Sequence, residues 1–256
     1  MQTQAINRSR PLGDTLALVF LLTGAGLVVT AVVAVASVPL AVAHSSALMT
    51  FGVFGGFALL LLASWVCSRG GNFAAALLYG LFCAANGALL APLAAMAAHH
   101  RETAQWVYTA AVAALAIVAI LALVAAWLPQ LFIDLGQFLL PGLMALLVLS
   151  MAALFTPASP MQLALDACGI LLFCGYVLYD VSAIVSGEHD NPVRGAIELY
   201  LDVVNLFLSL LDLLLRLFDW TWWFGGDIRS GLSDASSGPT STDSWSLSDL
   251  FNFFDD

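Results

Sequence analysis

The chain has 256 residues, 61% of them hydrophobic and only 9% charged, with a mean hydropathy of +0.96. A soluble domain carries about 25% charged residues, so too little polar side chain remains to cover a water-facing surface, and a soluble fold is excluded. Seven arginines, no lysine and seventeen acids give a formal net charge of −10, which excludes nucleic acid as a partner.

A bilayer crossing takes about 20 apolar residues. Seven such runs follow one another in chain order, at 12–37, 47–67, 73–97, 105–128, 138–155, 161–185 and 195–218. The first is too long for the apolar core of a cleaved signal peptide, and further spans follow it. Joins this short predict antiparallel neighbours. Pro92 and Pro141 fall within spans and predict local kinks. The fold class expected is an all-α integral membrane protein, a seven-transmembrane helical bundle in the lipid bilayer. Residues 1–11 form a short cytoplasmic N-terminus, residues 12–224 the membrane domain, and residues 225–256 an acidic, Ser/Asp-rich disordered tail with six of the aspartates.

Arginine placement orients the bundle. Arg8, Arg10, Arg69 and Arg194 would lie inside, against Arg101, Arg216 and Arg229 outside. That puts the N-terminus in the cytoplasm and the tail outside a multi-pass protein of the inner, cytoplasmic membrane. Trp220, Trp222 and Trp223 read as an aromatic belt where the last helix leaves hydrocarbon. The four cysteines show no metal-ligand spacing and read as buried thiols.

Ionisable side chains within the spans gather in the last two. Such residues are costly in hydrocarbon and face protein or a water-filled cavity. Span six holds Asp166 and Asp180. Span seven carries Glu198, Asp202, Asn205, Ser209, Asp212, Arg216 and Asp219 at steps of four and three, one polar stripe that cannot face lipid. Asp180 lies five residues before the inner end of span six and Asp202 seven after the inner start of span seven. At about 1.5 Å per residue these are matched depths of about 8 Å and about 11 Å.

Two carboxyls that meet there cannot both ionise cheaply and would titrate as one unit. Once ionised, they would attract a hard cation with oxygen ligands, calcium before a transition metal. Asp166 and Asp219 read as packing or capping acids, and Asp212 with Arg216 as an i,i+4 ion pair. Glu198 and the loop acids Glu188 and Asp190, with His189, would line an approach. Asn86 in span three would donate to a carboxylate, Gly80 and Gly87 would let helices approach closely, and Tyr176 and Tyr179 would support the pair from span six.

The stretch Phe173-Cys-Gly-Tyr-Val-Leu-Tyr-Asp180, an acidic loop, and Ala196-Ile-Glu-Leu-Tyr-Leu-Asp-Val-Val-Asn-Leu-Phe-Leu208 resemble the signature of the Bax inhibitor family, the transmembrane Bax inhibitor motif proteins. The span pattern matches over residues 12–218. The resemblance implies six helices around a central seventh and a pH-sensitive calcium leak, with the sensor pair at Asp180 and Asp202. Some members hold the closed state with a basic residue on the second helix. Span two has no charge here, so that role would fall to Arg69, just past its inner end, or the latch is missing.

The leading expectation is a passive calcium-permeable channel that is not an enzyme. It has no permanently bound cofactor, and calcium is its permeant or transiently bound ion at Asp180 and Asp202. The alternatives are a regulator that binds a membrane-bound quality-control protease and a proton-coupled calcium exchanger. A hydrolase is disfavoured, because neither His-Glu-x-x-His nor Gly-x-Ser-x-Gly occurs.

Overall fold

The computed structural model describes residues 12–43, 45–69, 72–153, 159–187 and 191–233, and among these every regular element is helical. The chain runs through α1 (Leu12–Ala36), α2 (Val38–Ala43), α3 (Ser45–Ser68), α4 (Asn72–Leu89), α5 (Ala91–His99), α6 (Arg101–Trp127) and α7 (Pro129–Phe132). A 3₁₀ turn (Ile133–Leu135) then leads into α8 (Gly136–Ala153), α9 (Ser159–Val185) and α10 (Pro192–Ser233). The protein is an all-α, multi-span membrane bundle.

Among the described residues, four helical stretches are long and apolar enough to cross a membrane: Gly13–Ala36, Thr103–Trp127, Pro129–Ala153 and Met161–Val185. The pair α4 and α5 makes a fifth when its 44° bend is counted within one span. This is fewer than the seven spans expected. The described apolar stretch of α3, Gly55–Cys67, is short, and α10 carries too many charged side chains to qualify as an apolar span. The fifth expected run begins earlier than residue 138, because the join before it is itself helical. Pro92 marks the α4–α5 bend: it sits at the start of α5, and the Leu90 amide before it is shared between the Asn86 and Gly87 carbonyls at 3.1 Å each. Pro141 produces no such break and lies inside α8.

α10 packs against α1, α3, α4, α6 and α9, whereas α8 packs chiefly against α9. Around the outside, Leu21, Val28, Val32 and Val35 form one exposed face of α1, all more than 60% accessible. Such a face suits lipid and would be untenable in water. α10 also runs on to Ser233, beyond the expected boundary at residue 225, since Gly225 and Gly226 weaken a helix without the steric block of a proline. The rest of the tail and residues 1–11 lie outside the described residues.

Hydrophobic burial cannot hold helices together in lipid, so close packing and hydrogen bonds must. Both are dense where α1, α4 and α10 meet. Gly87 lies so close to α1 that a Cβ would stand 2.5 Å from the Thr30 carbonyl oxygen, and Gly26 lies beneath the Tyr79 ring and Cys83. Gly80, by contrast, has open space around it, so the close approach expected of both glycines is made by Gly87 alone.

The Thr30 hydroxyl has a single proton and faces the carbonyls of Gly26 and Cys83 at 3.0 Å. Tyr200, whose hydroxyl oxygen is 2.6 Å away, therefore donates to it. Tyr79 donates to the Leu22 carbonyl at 3.2 Å and meets Tyr200 edge-on. Replacing Tyr200 by Phe is expected to cost about 1 kcal/mol, the worth of one such bond between membrane helices. Reversible unfolding in mixed detergent micelles would measure it.

Candidate functional site

Asp180 enters the bundle from the last turns of α9 and Asp202 from the third turn of α10. Each side chain is 5% exposed. The antiparallel run of the two helices sets them face to face, with their carboxyls within hydrogen-bond reach of each other. Two carboxyls in such contact need one proton between them. Asp202 Oδ2 is buried with no hydrogen-bond partner. Glu198, one turn nearer the loop, adds its charge to the field at Asp202. Tyr176, one turn before Asp180, feels both aspartates and stacks on Phe173 at 6.3 Å.

The cation paired with Glu198 at this acidic end is exposed. Arg194 Nε donates to Glu198 Oε1 at 2.9 Å, with its side chain 62% accessible. The pair with Glu198 holds the Arg194 guanidinium above its usual pKa, so Arg194 stays charged throughout the physiological range. Arg69 does not reach in. It folds back on its own helix with its guanidinium carbon 4.0 Å from the centre of the Trp65 ring, an aromatic face that attracts a cation. Arg69→Ala is therefore expected to leave any pH response of transport as in the wild type. A lost response in vesicle flux would return Arg69 to the aspartates.

The other expected supports are spread more widely. Asn86 donates to the Phe82 carbonyl of its own helix at 3.0 Å rather than to a carboxylate, because an amide one turn along finds that oxygen first. Tyr179 covers Gly136 at the start of α8, where a Cβ would lie 2.6 Å from its ring. Asn205 is half-buried one turn past Asp202 on the same face of α10. Cys168 is exposed on α9 rather than buried. Glu188, His189 and Asp190, and the side chains of Asp219, Trp220, Trp222 and Trp223, lie outside the described residues. Among the described residues no three His, Cys, Asp or Glu side chains gather as a metal cluster would require, so Asp180 and Asp202 would offer an ion two protein carboxyls.

A second polar cluster occupies the far end of the same helix pair. Arg216 Nε lies 3.0 Å from Asp166 Oδ2 and 3.1 Å from Asp212 Oδ2. One terminal nitrogen reaches Asp212 Oδ2 at 2.9 Å and the other Gln162 Oε1 at 2.6 Å. Asp212 and Arg216 pair along one helix, and Asp166 joins them from α9 as a partner, not as a separate packing acid. Gln162 and the link to Asp166 escape a reading confined to α10. The register that sets Asp180 opposite Asp202 contains the signal: fourteen residues back along α9 and fourteen forward along α10 stand Asp166 and Arg216.

The family described as "Inhibitor of apoptosis-promoting Bax1" matches residues 13–219. Shorter stretches are similar to curated proteins. An uncharacterised protein of Campylobacter jejuni is 41% identical over 83 residues, 32% of this chain and 36% of that one. Protein LIFEGUARD 2 of Arabidopsis thaliana is 38% identical over 82 residues, 31% and 34% of the two chains. The Golgi anti-apoptotic protein of vaccinia virus is 37% identical over 84 residues, 32% and 35%. The chain thus spans about a third of the length of the curated relatives it matches.

Proposed function

The chain belongs to the family of inhibitors of apoptosis-promoting Bax1, inhibitor proteins rather than enzymes, and on that premise we propose that it is a passive calcium-permeable leak channel gated by Asp180 and Asp202. The observation that carries this reading is the pair itself: two buried carboxyls within hydrogen-bond reach of each other across the α9–α10 seam. With a proton between them they tie the helices together. Without it, two like charges repel and leave an oxygen-rich gap suited to a hard cation. The tests of pH response must account for the neighbouring titratable groups, Glu198 with its partner Arg194, and Tyr176 and Tyr179.

In this reading α10 is the seventh span at the centre of six, with the N-terminus in the cytoplasm and the tail outside the inner membrane. Its contacts with α1, α3, α4, α6 and α9 support a central place. Calcium passes down its gradient and is held only transiently, and no cofactor stays bound.

Purified protein in calcium-loaded vesicles tests it. Flux is expected to exceed that of empty vesicles and to rise from about pH 6 to about pH 8 as the shared proton is lost. Flux no greater than that of empty vesicles overturns the channel. Accumulation against a gradient would mark an exchanger instead. Co-purification with a membrane protease, unchanged when both aspartates are neutralised, would mark a regulator of protein quality control.

A further inference from the structure

The cluster at the far end of the α9–α10 seam has a composition that a structural staple does not need. One acid suffices to neutralise a guanidinium, but Arg216 is bracketed by two, Asp166 on α9 and Asp212 on α10, with Gln162 taking its remaining edge. The two carboxyls are also within hydrogen-bond reach of each other. Oxygens from both helices therefore converge on one cation. The Arg216 side chain is 22% exposed and that of Asp212 14%, so the cluster is neither sealed in the core nor fully open.

This cluster and the Asp180–Asp202 pair stand on one seam. They are fourteen residues apart on each helix, a separation of about 21 Å at about 1.5 Å per residue. The stripe of α10 between them presents Asn205 and Ser209. Gly169 of α9 sits opposite Ser209, where a Cβ would come within 2.9 Å of the hydroxyl oxygen. A polar row thus continues from one station to the other. The stations differ in charge. At the first, two acids share a proton. At the second, two acids share a guanidinium that arginine cannot neutralise by losing its proton.

We propose that Arg216 is a tethered cation that closes the far end of the seam, its guanidinium held between Asp166 and Asp212 where a permeating divalent cation would otherwise bind. The inference rests on the channel reading above and adds to it a second closure, one that a proton does not control. Arg216 then sets the resting leak and the Asp180–Asp202 pair sets its response to pH.

Vesicle flux at about pH 8, the alkaline end of the pH series used for the channel, decides between this closure and a staple. Two variants are compared with the wild type. Arg216→Gln removes the guanidinium and leaves two acids unpaired. The double variant Asp166→Asn with Arg216→Gln removes the guanidinium yet keeps the cluster's wild-type net charge, and so decides the matter even where the single variant does not fold. Calcium flux is expected to be several-fold faster than wild type in both, most in Arg216→Gln, with the rise from acid to alkaline pH retained. A variant recovered folded that conducts no faster than a conducting wild type overturns the closure and leaves the channel reading standing. A wild type that does not conduct overturns the channel reading itself. A staple would lower the melting temperature of the variants without speeding their flux.

Discussion

Calcium flux through vesicles carrying Asp202→Asn is expected to lose its response to pH, and Asp180→Asn is expected to do the same. Asparagine keeps the size of the side chain and a hydrogen bond to the opposite carboxyl, so the helices stay packed. What it removes is the second negative charge. Two unit charges about 4 Å apart repel by about 4 kcal/mol at an effective dielectric of about 20, against the ~1 kcal/mol net worth of a hydrogen bond. The repulsion is therefore the larger effect, and it exists only when both residues are aspartate and both are ionised. Stability of the closed seam runs the opposite way to flux, greatest when the proton is shared and falling as pH rises. A wild-type pH profile in both single variants would remove the pair from the gate.

Gly87→Val is expected to be the most damaging small substitution in the bundle. The atom a Cβ would meet, 2.5 Å away, is the backbone oxygen of Thr30, with the Val33 side chain at 2.8 Å. A flexible side chain can swing aside, but a helix backbone cannot, so α1 and α4 must separate. Overpacking of this kind costs about 1–3 kcal/mol, and separation would also pull the Thr30 hydroxyl from the Cys83 carbonyl of α4. Gly80→Ala, seven residues earlier on the same helix, is the control. Nothing lies within 4 Å of its Cβ, and alanine favours the helix by about 1 kcal/mol. Thermal unfolding in detergent should show a clear drop for the first and none for the second; equal behaviour would mean the α1–α4 contact is not close.

How far the fold is legible in the sequence depends on what each residue answers to. The helices and their antiparallel order follow from apolar runs and short joins, since in lipid a backbone segment must satisfy its own hydrogen bonds. The number of spans is less legible. A run such as 195–218 combines membrane length with an acidic stripe, so length and composition disagree about it. The meeting of Asp180 and Asp202 follows from register along two antiparallel helices. The same register sets Asp166 opposite Arg216, but Arg216 also has Asp212 one turn away on its own helix, and nothing in the order of residues says that one guanidinium reaches both. Arg69 fails for a different reason. A long side chain at a helix end chooses its partner from whatever stands near, and here that is the Trp65 ring four residues back.

α10 is 42 residues long, about 63 Å at about 1.5 Å per residue, while the hydrocarbon layer is about 30 Å thick. A helix of that length crossing upright would leave about half of itself outside the hydrocarbon layer. With Asp202 in the third turn, most of that excess falls beyond Arg216. In the proposed channel the helix that lines the seam therefore runs on beyond the hydrocarbon layer, and a bulky label fixed to its last turns would report any rotation or tilt of the seam from outside the membrane.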